Sequence, residues 1–473
     1  MEDETAYFET KEFQDILKRY EDSVRSGQPT YVDADDLADI ADYYQYQGQP
    51  EKANKAVELA LQINPEAIGP LLYKAREALT RSDFETARAY ADHLRALDEL
   101  EALYLQGEIL ICEDKVEEAD RLFRQRFTDT PADEQQDYVY DVANLYSEYN
   151  LHQKAMEWAV RSQGDNSDDF KELMARTLFG LGKYEDSSRL FNELIDHHPY
   201  SKQYWNALAS AQYMNADYGD SITSSEYAIA IDPNDPESLL SKANGLYSLE
   251  NYEEALIYFE RYTEKAGGDE YGYLHQGACL INLGRYDEAI VRLSEAEDHA
   301  PGDSPYLAEI YQELAFAYSE KHLPETALYY LDKTKELDCD HVDLEVIRGH
   351  VLLSNLRVEE AEKVFTKAIA DSGNSPAVML RIIVSLYDNR LLTAAYTLFR
   401  QFFSNADSDW SNGHAYMALC CWDMQKYDEF MAYLQEAVDK NPKEARLVLG
   451  HLFPEGMKPE EYADYIKPKL NKK

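Results

Sequence analysis

Apolar side chains recur at three- and four-residue spacing along most of the chain, in stretches of about a dozen residues parted by short polar turns. Such stretches predict amphipathic helices, and the short turns between them predict antiparallel helix pairs. The segments GKYEDSSRLFNELIDHHPYS (182–201), ENYEEALIYFERYTEKAGGD (250–269) and GRYDEAIVRLSEAEDHAPGD (284–303) share one plan. Each opens with a turn, then a Tyr and acids, a small residue and an apolar stripe. The small residue recurs at Ala53, Ala87, Ala119, Ala155, Ser187, Ser221, Ala255, Ala289, Ala327, Ala361 and Ala395, with Phe430 in the twelfth place. The intervals are 34, 32, 36, 32, 34, 34, 34, 38, 34, 34 and 35. Small residues at Gly107, Ala143, Ala209, Ala243, Gly277 and Ala315 let the first helix of a pair lie close to the second. Pro65, Pro131, Pro199, Pro233, Pro301 and Pro442 stop the second helix, because proline lacks the N–H and clashes with the preceding turn.

Further residues sharpen the pattern. The sixth repeat reads Trp205-x2-Leu208-Ala209, then Ser221, and closes at Pro233. The eighth reads Tyr273-x2-Gln276-Gly277-x2-Leu280, then Ala289-x3-Leu293, and closes at Pro301. The ninth reads Tyr311-x2-Leu314-Ala315-x2-Tyr318, then Ala327-x3-Leu331. In these positions the chain resembles the tetratricopeptide repeat family over residues 34–444. The resemblance implies an all-α, right-handed solenoid of about twelve antiparallel helix pairs, since one pair cannot bury its faces alone. Residues 1–33 are then an N-terminal cap, a helix over 7–25 burying Phe8, Phe13, Ile16, Leu17, Tyr20 and Val24. Residues 445–473 are a C-terminal cap and basic tail, with Leu447, Val448, Leu449, Leu452 and Phe453 covering the twelfth repeat. The tail lysines, Lys458, Lys467, Lys469, Lys472 and Lys473, are expected in a solvated end, with docking on an acidic groove as the alternative. Polar breaks at 163–168, 266–269 and 404–409 read as longer turns within one continuous superhelix.

Charge narrows the function. The 473 residues include 90 acidic and 46 basic ones, a formal net charge of −44. Phosphates would be repelled, which argues against nucleic acid or an anionic membrane as partner. The start MEDETAYFETKEF has neither the basic nor the apolar region of a signal peptide, and no run is long and apolar enough to span a membrane. A cytoplasmic location is expected. Five cysteines, Cys112, Cys279, Cys339, Cys420 and Cys421, contain no C-x-x-C and read as small buried residues. His197-His198 falls at a helix end, where a cation suits the dipole. The chain holds no H-E-x-x-H, phosphate-binding loop, G-x-G-x-x-G or G-x-S-x-G, so no catalytic residue, cofactor or metal site is expected.

The resemblance also places groove-facing side chains at positions 2, 5, 9, 12 and 13 of each repeat. Fourteen of these places carry Asp or Glu, and only Arg76 and Arg176 are basic. Seven of the acids stand at position 2, where a carboxylate favours the helix N-terminus anyway. Phe179, Tyr213 and Tyr247 occupy position 12 of three consecutive repeats, with Asn206 and Asn244 nearby, and Tyr387 and Trp422 form a similar pair later. Aromatic faces and amides suit an extended peptide. The expected function is a non-catalytic scaffold or adaptor binding a basic or aromatic-apolar protein segment in an acidic groove. The alternative is a structural or regulatory subunit using its outer face or its caps. The sequence leaves the oligomeric state open.

Overall fold

The computed structural model describes residues 7–8, 10–26, 32–162, 164–335, 337, 340–405, 407, 409–454 and 456–470. Among the described residues the protein is helix and turn, with no strand. It divides into two compact units, Met1–Pro233 and Asn234–Lys473. Each unit holds six of the repeats as antiparallel helix pairs. The first unit runs from Ala34–Tyr46 with Pro50–Ile63 to Lys202–Met214 with Tyr218–Ile231. The second runs from Pro236–Ser248 with Tyr252–Ala266 to His414–Asp423 with Tyr427–Lys440. Below, the repeats are numbered 1–12 along the chain.

One turn closes all twelve pairs. It places a single residue in the left-handed region at the same point each time: Gly48, Ser82, Asp114, Asn150, Gly182, Ala216, Glu250, Gly284, His322, Leu356, Arg390 and Gln425. Only three of these are glycine. At the other nine, an ordinary side chain accepts a cost of about 1–2 kcal/mol for an alanine-like residue, less for Asn or Asp. The packing of the pair outweighs it. The recurring alanines from Ala53 to Ala395 are all fully buried. Where the first helix carries glycine, the facing residue is large. A Cβ on Gly107 would run into the Phe123 ring, one on Gly349 into Phe365, and one on Gly277 into Leu293. The largest fully buried side chain, Trp158, donates its indole N–H to Asp120 at 2.9 Å, and Asp120 also holds Arg124.

The caps depart from expectation in detail. The N-terminal helix is Lys11–Ser26, packed on repeat 1 through Phe13, Ile16, Leu17 and Tyr20, while Val24 in its last turn is exposed. At the other end, helix Pro442–Leu449 buries Val448 and Leu449 but leaves Leu447 in solvent. Lys458, Lys467 and Lys469 of the tail are exposed, but the tail is ordered. It folds as helix Tyr462–Leu470, anchored by Tyr462 and Ile466, with the Phe453 and Tyr462 rings stacked at 3.8 Å. Lys472 and Lys473 lie outside the described residues, as do Cys339, residues 1–6 and parts of the breaks at 163–168 and 404–409. Cys279, Cys420 and Cys421 are buried as expected, but Cys112, the last residue of its helix, is exposed. His197 and His198 both bond to Asp168, each at 2.9 Å, and this shared contact lowers the Asp168 pKa.

Candidate functional site

Within each unit, successive first helices pack on one another, so their outward-turned positions line an inner face. In the first unit that face carries a row of charges from neighbouring repeats. Arg76 of repeat 2 reaches Glu108 of repeat 3 with two hydrogen bonds, Nη2 to Oε1 at 2.9 Å and Nε to Oε2 at 3.2 Å. Glu108 is buried, and the Tyr149 hydroxyl also donates to it at 3.3 Å. Arg176 donates to Asn144 at 3.0 Å and pairs with Glu172 at 3.6 Å, while Asn144 donates to Glu148 at 2.8 Å. Around Arg76 lies a polar cavity of about 640 Å³, lined also by Asp42, Gln45, Glu108, Glu148 and Tyr149. Both groove arginines are thus already matched to groove oxygens. Burial raises the pKa of Glu101 and Glu148 despite the nearby arginine.

The inner face of the second unit is different. Asp343 is held by Arg381, Asp423 by Tyr387 at 2.7 Å and Arg390 at 3.3 Å, and Glu320 by Tyr286 at 3.4 Å. Glu309 and Glu313, one helical turn apart on Leu307–Glu320, form no hydrogen bond or ion pair among the described residues. Burial pushes the Glu313 carboxyl up to about 7, helped by the Glu309 charge, and burial raises Glu309 as well. The two charges also act on the Tyr247 phenol two repeats away, which burial above all pushes up to about 12. Both glutamates are thus within electrostatic reach of Tyr247. Between them and Tyr247 lies repeat 8, where the Tyr271 ring stacks on His275 at 4.1 Å and its hydroxyl donates to Asn244 at 3.1 Å. His275 turns a ring nitrogen to the Tyr271 carbonyl at 3.1 Å, and burial lowers its pKa.

The candidate aromatics share one arrangement. Phe179 packs on Tyr184 at 5.4 Å, Tyr213 on Tyr218 at 5.3 Å, Tyr247 on Tyr252 at 5.4 Å and Trp422 on Tyr427 at 5.6 Å. In each case a position-12 ring closes over the turn onto the first residue of the second helix, five residues on. All four rings are half-buried, so each spends one side on its own repeat. Asn206 is 1% exposed and Tyr387 is 7% exposed, so neither presents its polar end to an incoming chain. Phe179, Asn206 and Tyr213 belong to the first unit, and Asn244, Tyr247, Tyr387 and Trp422 to the second. The sequence reading missed Glu313 because it lies outside the five expected positions. Its four-residue spacing from Glu309 was the available signal.

Tyrosine hydroxyls also explain how so acidic a chain settles its carboxylates. Tyr104 donates to Asp141 at 2.8 Å, Tyr204 to Glu172 at 3.1 Å, and Tyr396 to Glu429 at 2.7 Å, each joining neighbouring repeats. With 38 Tyr against 46 Lys and Arg, phenols supply donors that cations do not.

A model of the tetratricopeptide repeat matches residues 173–236. A second, described as anaphase-promoting complex, cyclosome, subunit 3, matches residues 214–296. Similar solved structures include MamA from Desulfovibrio magneticus RS-1, at 20% identity over 37% of this chain and 96% of that one, with a TM-score of 0.35. The APC/C hetero-tetramer Cut9–Hcn1 is similar at 15% identity over 89% of this chain and 97% of that one, with a TM-score of 0.35. PilW, a type IV pilus biogenesis factor, is similar at 16% identity over 45% and 96%, with a TM-score of 0.39. No curated protein sequence matches the chain.

Proposed function

We propose that the chain, which a model of the tetratricopeptide repeat matches over residues 173–236, is a non-catalytic scaffold that holds a basic segment of a partner protein on its inner face. The observation that carries the reading is Glu309 with Glu313. Glu313, half-buried, and Glu309, exposed one turn before it, carry no cation among the described residues, whereas both groove arginines of the first unit are already spent. A lysine or arginine side chain entering beside Tyr247 would meet two charges and an aromatic face. Each exposed charge pair adds only about 0.2–1 kcal/mol, so the net charge mainly speeds association and turns acidic partners away. The partly buried Glu313 supplies the anchor.

The test compares the wild-type chain with the double variant Glu309→Gln, Glu313→Gln, titrated with a lysine- and arginine-rich extended peptide. The reading expects at least tenfold weaker binding in the variant and a strong loss with salt in the wild type. Equal affinity of the two chains would remove it.

A further inference from the structure

The outer side of repeat 11 departs from the rest of the chain. Its second helix, Leu392–Asn405, reads LTAAYTLFRQFFSN and contains no Asp or Glu. Every one of the other eleven second helices contains at least one. At 90 acids in 473 residues, a 14-residue helix would carry two or three. Thr393, Ala394, Thr397, Leu398, Arg400 and Gln401 make its exposed face. Arg400 is the only charge there; it lies against the Tyr396 phenol, whose hydroxyl bonds Glu429, and forms no ion pair among the described residues. From Pro376 to Asn405 the repeat holds Arg381, Arg390 and Arg400 against Asp388 alone, a net +2 within a chain of −44. The other two arginines are engaged, by Asp343 and Asp423.

This ridge lies between two recesses. On the side of repeat 10 is an apolar one of about 280 Å³, lined by Ile369, Pro376, Met379, Ile383, Leu398 and Phe402. On the side of repeat 12 is a polar one of about 330 Å³ that includes Arg400, Trp410, Tyr433 and Lys440. Asp407 and Glu436 also line it, and Glu436 is 3.8 Å from Lys440. An apolar recess beside an uncharged ridge and one exposed arginine selects its occupant by charge. A partner carrying carboxylates is repelled by the acid-bearing second helices elsewhere and meets none on this helix.

We propose that the outer ridge of repeat 11 docks an amphipathic segment of a protein partner, which seats one large apolar side chain beside Leu398 and sets a carboxylate against Arg400. This partner differs in sign from the basic segment of the inner face, and its surface shares no residue with Glu309 and Glu313. The apolar side chain gives most of the affinity and the carboxylate most of the selectivity.

Three 14-residue helical peptides test this on the full chain: a leucine-faced one flanked by glutamates, the same one flanked by lysines, and the glutamate version with its leucines replaced by alanine. Binding is read by fluorescence anisotropy and located by hydrogen exchange. The glutamate-flanked leucine peptide is expected to protect residues 392–405 and to bind at least tenfold tighter there than either of the others. Leu398→Glu should lower its affinity at least tenfold and Arg400→Glu several-fold, while Glu309→Gln with Glu313→Gln should leave it unchanged. Leu398 is 37% exposed, so its variant should fold; Gln401→Glu on the same exposed face is the second probe should it not. Equal protection of 392–405 by the lysine-flanked peptide, or full binding to Leu398→Glu or to Gln401→Glu, would overturn the proposal. Self-association of the chain in sedimentation that Leu398→Glu abolishes would also overturn it, by assigning the ridge to a second copy.

Discussion

Replacing Glu313 by Gln is predicted to stabilise the protein while weakening its function. The carboxyl has an ordinary pKa of 4.5, and burial with the Glu309 charge pushes it up to about 7. At about 1.4 kcal/mol per tenfold change in proton affinity, the ionised carboxylate costs the folded state about 2–3 kcal/mol after allowing for partial exposure. The sign follows from proton binding. Below pH 4.5 the carboxyl is protonated in both the folded and unfolded chain, and there is no cost. Between 4.5 and 7 the folded chain holds the proton more tightly than the unfolded one, so stability falls as pH rises, and above 7 the full cost applies. Gln keeps the size and drops the charge. Because a long repeat chain need not melt in one cooperative step, the assay is hydrogen exchange of helix Leu307–Glu320 rather than a global melt. At pH 8 the variant should exchange roughly 30- to 160-fold more slowly in this helix, and at pH 4 at the wild-type rate. A variant that is no more protected at pH 8, or equally more protected at both pH values, would refute the reasoning. Such a cost is what a site waiting for a cation would carry, since a bound lysine or arginine would relieve it.

Other predictions address the scaffold. Leu356 is 88% exposed with a φ of 62°, so Leu356→Gly relieves strain without losing burial and should raise stability by about 0.5–1 kcal/mol in denaturant titration. Gly349→Ala drives a methyl into the buried Phe365 ring and should cost about 1–3 kcal/mol, measured in the same way. Trp158→Phe removes the indole donor from Asp120, which is 5% exposed, and opens a gap at the largest buried side chain. A loss of about 1–3 kcal/mol is expected, largest at neutral pH where Asp120 is ionised.

Much of this architecture was legible because the repeat is periodic. The buried small residues from Ala53 to Ala395 gave the register, and the lone departure, Phe430, is itself fully buried. The twelve turns were less visible, since a left-handed residue can be Leu356 or Arg390 as well as Gly284 when packing on both sides fixes the backbone. Position-12 aromatics also pack on i+5 partners, Tyr184, Tyr218, Tyr252 and Tyr427, which stand in the next helix. The recurrence of that pair in four repeats was the available sign of this packing contact. Pairings between neighbouring repeats, such as Arg76 with Glu108, join equivalent positions 32 residues apart and were open to reading. What could not be read was the state of each carboxylate. That Asp423 is satisfied by Tyr387 while Glu313 has no hydrogen-bond or ion-pair partner among the described residues depends on side-chain directions that spacing alone does not fix.

The central claim is that the inner face of the second unit selects basic protein segments through Glu309 and Glu313. The most direct measurement titrates the full chain with one extended lysine- and arginine-rich peptide and with its glutamate-substituted twin, mapping each by hydrogen exchange. The account predicts that the basic peptide protects helix Leu307–Glu320 and loses that protection in the Glu309→Gln, Glu313→Gln variant. Protection of that helix by the acidic twin, or by the basic peptide equally in the variant, would contradict it.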